Sequence, residues 1–290
     1  MRLPVMLTVL LLTGVCSAAV AQTSKDNTTV KPVILGYITS GKITEASGIA
    51  SSSTMPGYFW THNDSGNKPD VYLLDHQARL ACTVKLDDVT NRDMEDIAEG
   101  IGPVKGKHYV YVGDIGDNGG KRKHIRIYRF KEPTKIPGKS LHIRPDVLTL
   151  EYPNGPRDAE TLLIDPIGKK IYIVSKREGK VSLYKTNQLL FKDGDNATLE
   201  QLITLPYTWV TSGDISKDGR HIVIKTLTDV YYWHRNANET VEQAMARPAQ
   251  RLPYTIEKQG EGITITPGND GYVTISEGKD TPVNFYQWKF

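Results

Sequence analysis

The chain has 290 residues, of which 24% are charged, and a formal net charge of +3. So balanced a charge excludes the dense basic surface that binds nucleic acid or an anionic membrane. Of two cysteines, Cys16 and Cys82, the first falls in a segment expected to be removed. That leaves no pair for an internal disulfide and assigns the fold to an ordinary apolar core.

Met1-Arg2 opens with a base, residues 5–15 (VMLTVLLLTGV) form an apolar run, and Ala19-Val20-Ala21 supplies an A-x-A cleavage site. This is the layout of a secretory signal peptide over residues 1–21. Val15 precedes Cys16, where a lipoprotein signal needs a small residue, so cleavage is expected after Ala21. The mature protein is then exported, periplasmic or secreted. Removing Arg2 alone takes its formal charge to +2. No later run approaches the ~20 apolar residues of a membrane helix, so no membrane span is expected. Residues 22–32 are polar and read as a loose mature N-terminus, and residues 33–290 as one domain, a monomer.

Within that domain a six-residue segment recurs five times, starting at Glu45 (EASGIA), Asp93 (DMEDIA), Asp158 (DAETLL), Thr211 (TSGDIS) and Gln259 (QGEGIT). The fifth place is always aliphatic: Ile49, Ile97, Leu162, Ile215 and Ile263, spaced by 48, 65, 53 and 48 residues. Three of the five carry a glutamate in the third place, Glu95, Glu160 and Glu261. A strand-forming run rich in β-branched and aromatic residues follows each: YFWTH (58–62), HYVYV (108–112), KIYIVS (170–175), HIVIK (221–225) and GYVTIS (271–276). Most end in a polar turn. A third run repeats an apolar residue followed by tyrosine, at Tyr72, Tyr128, Tyr184, Tyr231 and Tyr286, which are expected to pack between sheets.

A fourth strand is predicted over residues 78–86, 143–152, 199–207 and 250–254. The fifth unit has none, and residues 33–38 at the other end are left to complete it. Four-stranded units repeating every ~40–50 residues predict an all-β fold, a β-propeller. Five four-stranded blades are expected, closed by the N-terminal strand, with six blades as the runner-up because residues 98–158 are long. The best helical signal is residues 242–246.

In a propeller the residues leading into each innermost strand and the turns between second and third strands share one face. The repeat therefore directs Glu95, Glu160 and Glu261, with Asp96, Asp158, Asp214 and Glu45, to one mouth of the central channel. The turns send His62, Asp64, Asp114, Lys176, Arg177 and Glu277 to the same mouth, and Lys225 ends its strand at that level. Enclosed carboxylates repel one another unless protonated, paired with bases or bound to a metal. An all-oxygen donor set suits a hard cation, and calcium tolerates irregular sets of six to eight oxygens. The candidate metal ligands are Glu95, Glu160, Glu261, Asp114, Asp64 and Glu277. The candidate catalytic or anion-binding groups are Lys176, Arg177, Lys225 and His62. Each has a plainer reading: turn-capping for the aspartates, as for Asp75 and Asp218, neutralisation of the acids for the bases, and a hydrogen-bonded strand end for His62.

The segments TEASGIA, FWTHNDSGN, MEDIA, YVGDIGDN, YPNGPRDAETLLIDP, TSGDISKDGR and QGEGITITP, in this order, resemble a group of largely uncharacterised, exported bacterial β-propellers. That group is distantly similar to esterase-like and phytase-like propellers, which hold calcium on carboxylates at one channel mouth. The paired-aspartate signature of phytases is absent here. The resemblance implies Ca2+ at the acidic mouth, and two functions stay open. One is calcium-dependent hydrolysis of a small anionic or ester substrate, a phosphoester, ester or lactone. The other is a non-catalytic binding module for an envelope component, carbohydrate or protein, with a structural metal. Trp60, Trp209 and Trp233 read as strand residues rather than as a stacking platform.

Overall fold

A computed structural model describes residues 31–288. The signal peptide expected over residues 1–21 and nearly all of the polar stretch 22–32 lie outside the described residues. Strand β1 (Val33–Ile38) comes first. Strands β2 (Ala46–Ser51), β3 (Phe59–Asn63), β4 (Asp70–Leu74) and β5 (Leu80–Leu86) form an antiparallel meander, the first blade. Strands β6 (Met94–Ile101), β7 (His108–Asp114) and β8 (Ile125–Lys131) begin the second. The chain then leaves β9 (Ser140–Ile143) parallel to β5 of the first blade before β10 (Asp146–Glu151) completes the second. In the third blade, β11 (Ala159–Asp165), β12 (Lys170–Ser175) and β13 (Val181–Thr186) precede β14 (Asp195–Thr198), which joins β10 in parallel, and β15 (Glu200–Leu205).

The fourth blade is β16 (Val210–Ile215), β17 (His221–Thr226) and β18 (Val230–His234), then helix α1 (Val241–Met245) and β19 (Gln250–Leu252). Thr240 caps α1 through a capping box with Gln243. Strands β20 (Gly260–Ile265), β21 (Gly271–Ser276) and β22 (Thr281–Gln287) share the fifth sheet with β1, which pairs antiparallel to β22. The described residues thus form a five-bladed β-propeller with a four-strand unit per blade. The long stretch 98–158 is one blade's worth of chain that also lends an outer strand, β9, to its neighbour.

The core is divided into five wedges, one between each pair of adjacent blades. Trp60 and Val71 meet Met94 and Ile97 between the first two blades, and Ile127 and Leu148 meet Leu162 and Ile173 between the next two. The wedge between the fifth and first joins Val273 and Ile275 to Ile49 and Phe59. Of the repeated tyrosines, Tyr72, Tyr128, Tyr184 and Tyr286 are buried in these wedges and Tyr231 is partly buried. With both faces covered, the inner strands β2, β11, β16 and β20 are buried along their whole length.

Where β2, β6, β11, β16 and β20 pair with the strand behind them, each register skips one residue, always the second of the inner strand. The skipped residues are Ser47, Glu95, Glu160, Thr211 and Glu261. A bulge residue leaves the hydrogen-bonded ladder and its side chain is re-aimed. This pairing corrects the fourth repeat: Thr211, not Gly213, is the counterpart of the three glutamates, two residues away from the alignment read off the sequence. The aliphatic fifth place is filled there by Gly213. A Cβ on Gly213 would lie 2.7 Å from the Val223 carbonyl oxygen and 2.9 Å from Thr161 Cγ2, so no aliphatic side chain fits. Asp214, expected at the mouth, sits further along the channel, accepting from Ile265 N at 2.8 Å and Thr264 Oγ1 at 2.9 Å.

The residue after each bulge faces the next blade's inner strand. Asp96 accepts from Leu162 N at 2.9 Å and Ser212 from Ile263 N at 3.2 Å. Gly48 and Gly262 occupy the same place with no side chain, because Cβ atoms there would stand 2.8 Å from Ile97 N and 3.0 Å from Ile49 N. Backbone cannot retreat as a side-chain tip can. Gly48→Ala should therefore destabilise by about 1–3 kcal/mol, the usual cost of overpacking. Gly41→Ala, with nothing within 4 Å, should stay within about 0.5 kcal/mol. Urea unfolding of both variants reads the difference.

Candidate metal and substrate site at one channel mouth

The five bulges place Ser47, Glu95, Glu160, Thr211 and Glu261 around the channel, all at most 8% exposed. The two hydroxyls serve the frame: Ser47 Oγ donates to Glu95 O at 2.8 Å and Thr211 Oγ1 to Gly260 O at 3.2 Å. The glutamates carry the charge. The residues two places earlier, Glu45, Asp93, Asp158, Trp209 and Gln259, form the rim above them. The turns behind the second strands add Asp64, Lys176 and Glu277 at matching positions.

Carboxylate oxygens of Asp64, Asp93 and Glu95 lie within 4.8 Å of one another, and so do those of Glu95, Asp158 and Glu160. Glu95 belongs to both groups. It is 4% exposed, and among the described residues its carboxylate takes no hydrogen bond and no ion pair. The loop Asp114–Asn118 closes over it: a Cβ on Gly116 would lie 2.2 Å from Glu95 Oε1 and 2.7 Å from the Asp93 carboxyl carbon. Burial, reinforced by Glu160, Asp64 and Asp93 and only partly opposed by Lys176, pushes the Glu95 pKa well above the ordinary glutamate value.

Glu160 is ion-paired to the Lys176 ammonium, which is itself buried. Burial opposes charge on Lys176, yet Glu160, Glu261 and Glu95 together hold its pKa above the usual lysine value. Burial still raises Glu160 despite that partner. Arg177 pairs with Asp158 and donates to Asn118 Oδ1. Glu261 is raised by burial, which Lys176 and Lys225 offset only in part. Glu277, hydrogen-bonded by Gln259 Nε2 at 2.9 Å, is pushed up to about 7 by burial and by Glu261, Asp64 and Glu45.

Three expected site residues lie away from this group. Asp114 accepts from Asp93 N at 3.0 Å and pairs with Arg122 at 2.8 Å. Its counterpart Asn63 caps the first blade in the same way, accepting from Thr44 N at 3.1 Å and Glu45 N at 3.2 Å. Its place one residue inside the strand turns it to the backbone leading into the inner strand. Lys225 is fully enclosed between the fourth and fifth blades, with Nζ on the carbonyls of Gly260 and Thr226. Burial lowers its pKa to about 8. His62 fills the matching place in the first blade, also fully enclosed, its Nδ1 3.0 Å from Asn63 O and its Nε2 without a partner among the described residues. Burial lowers its pKa. Asp75 and Asp218 cap turns, accepting from Gln77 N at 2.9 Å and Arg220 N at 3.0 Å.

Two acids were not among the expected ligands. Asp93 and Asp158 hold the first place of the repeat, and that shared place was the available signal. Trp209 holds the same place in the fourth blade. It lies in the loop before β16, not in a strand, and is 43% exposed, whereas Trp60 and Trp233 are buried strand residues.

No protein-family model and no curated protein matches this chain, so the family resemblance stands on the motifs alone. Among the described residues no helix is long and apolar enough to cross a membrane.

The raised carboxylates fix a sign. A carboxyl whose folded pKa exceeds its unfolded value binds its proton more tightly when folded, so its contribution to stability is lost as pH rises. For Glu277 that window runs from the ordinary 4.5 to about 7, and for the Asp214 carboxyl from 3.8 to about 6. The protein in chelator should therefore melt at progressively lower temperature from pH 5 to pH 8. Glu95→Gln, by replacing a crowded buried carboxyl with a neutral amide, should raise the melting temperature in chelator at alkaline pH by about 2–4 °C, roughly 1 kcal/mol in a domain of this size.

Proposed function

We propose that this protein is an exported, monomeric, calcium-dependent hydrolase acting at this mouth on a phosphoester, ester or lactone. The observation that carries the reading is the Glu95 carboxylate: enclosed, without a hydrogen bond or ion pair among the described residues, and shared between two groups of acids. Leaving a buried charge unpaired costs several kcal/mol unless a proton neutralises it or a ligand compensates it, and a bound cation would keep Glu95 ionised at neutral pH. The donors are all carboxylate oxygens on an irregular frame, which fits calcium better than the strict octahedron of magnesium or the nitrogen and sulfur sets of zinc.

Under this reading Asp64, Asp93, Glu95, Asp158 and Glu160 hold the ion, with Glu261 and Glu277 adding negative field beside it. A calcium ion held by these carboxylates would supply positive charge to polarise a substrate oxygen or a water. Lys176 and Arg177 stand at the same rim and stabilise an anionic group as charge develops on it. Lys225 acts one layer back, holding the Gly260 carbonyl and so the position of Glu261. His62 is too enclosed to reach a substrate. The binding-module reading draws on one observation, the exposed Trp209 beside Arg177.

Two measurements test the proposal. Metal analysis of purified protein should find calcium, and calcium should raise the melting temperature that chelator lowers. A metal-free protein indifferent to both would remove the metal site. Turnover of a panel of phosphoesters, aryl esters and lactones should depend on calcium and fall at least tenfold in Lys176→Ala and in Glu95→Gln. No calcium-dependent turnover on any of them would favour the binding module.

A further inference from the structure

We infer that Trp209 is a second recognition element of this mouth: a stacking platform for a planar aromatic ring carried by the anionic substrate. The inference rests on the reading of the mouth as a substrate site. In the fivefold pattern the rim positions of the second and third blades are Asp93 and Asp158, both in the acid groups. The same position in the fourth blade is Trp209, 43% exposed. An indole thus stands at the place where two neighbouring blades present carboxylates.

Its setting is built rather than loose. The Trp209 backbone adopts φ 55°, a left-handed conformation that bulky residues rarely tolerate. What holds it is a hydrogen bond from Trp209 N to Lys176 O at 2.6 Å. Lys176 is the residue whose ammonium pairs with Glu160. The adjacent Thr208 reaches Arg177 O at 3.5 Å. The Arg177 guanidinium lies 5.0 Å from the indole centroid and also pairs with Asp158. Indole and acid group are therefore linked through one side chain, the Arg177 guanidinium.

The chemistry selects the ring. A guanidinium over one side draws the π-density of the indole toward itself, which disfavours the C–H contacts of a saturated ring. It favours extending the flat stack with another planar group. Aryl phosphoesters and aryl carboxylic esters combine such a ring with the oxygens the mouth can bind.

The test uses ligands that the protein cannot hydrolyse. Calorimetric titration in calcium compares phenylphosphonate, methylphosphonate and cyclohexylphosphonate, which share one anionic head. Wild type should bind phenylphosphonate about tenfold more tightly than either of the others, the scale of one good stacking contact (about 1.4 kcal/mol). Trp209→Ala should bring the three together, and Trp209→Phe should retain part of the preference, with far-UV circular dichroism and melting unchanged. Equal affinities in wild type, no binding of any of the three, a ring preference surviving Trp209→Ala, or cyclohexyl binding as well as phenyl would each overturn the inference. A ring preference that persists in a protein without turnover on any ester would leave this inference standing and remove the hydrolase reading instead.

Discussion

The close approach of neighbouring inner strands governs this molecule. Adjacent blades meet around the channel at backbone distance, so closely that Gly48 and Gly262 leave no space for a methyl group. At that separation a regular strand could not also direct polar side chains toward the axis. The bulge resolves the conflict by releasing one residue per inner strand from the ladder. Five such residues face one another, and what they are decides what the channel mouth is. Two are hydroxyls that tie blade to blade; three are glutamates.

Burying acids is common in this fold, and most of the buried acids are well provided for. Asp96 accepts from two amides and the Ser212 hydroxyl. Asp165 accepts from two amides and pairs with Arg235 at 2.7 Å. Glu99, at the other end of β6, is held by Ser53, His108 and Lys217. These arrangements satisfy the lone pairs that burial strips of water. Glu95 departs from the practice of its own strand. The same inner strands that give Asp96 its three donors leave the Glu95 carboxylate without a hydrogen bond among the described residues, while two further carboxylates are brought to each side of it. On the proposed reading, a bound cation would supply here the partner that the frame supplies to its other buried acids.

The repeat was legible because it is written in two alphabets at once. Aliphatic residues at the fifth place and strand-forming runs behind them fixed the blades, and the fourth strands fell within a few residues of the predicted ranges. The helix was legible as the short run 242–246, and the structure adds the Thr240 capping box that starts it. What failed was register in the fourth repeat. There Gly213 takes the aliphatic place and Ile215 imitates it two residues later, so matching apolar residues slid the alignment and hid Thr211 and Trp209. The parallel outer strands β9 and β14 were missed for another reason. They are edge strands of four residues with exposed positions, held by pairing with a neighbouring blade that local pattern cannot announce. Asp114 and Lys225 were misplaced by a single strand position, which in a pleated strand is the difference between facing the mouth and facing the next blade.

Corrected register also changes the character of the mouth. Read by spacing alone it is a ring of mixed charge. Read by structure it has sides. The second and third blades, with Asp93, Glu95, Asp158 and Glu160, concentrate the acids, and Lys176 and Arg177 from the third blade lie upon them. The fourth blade offers Thr211 and Trp209, neutral and partly apolar, at the same two positions. A symmetric frame therefore carries an asymmetric site, because the bulge fixes where a side chain goes without constraining which one it is. On the proposed reading, a ligand with one charged end and one flat apolar end would have one favoured orientation across such a mouth. Orientation of that kind is what a hydrolytic site requires, since it sets one bond, and not its neighbours, beside the groups that stabilise charge.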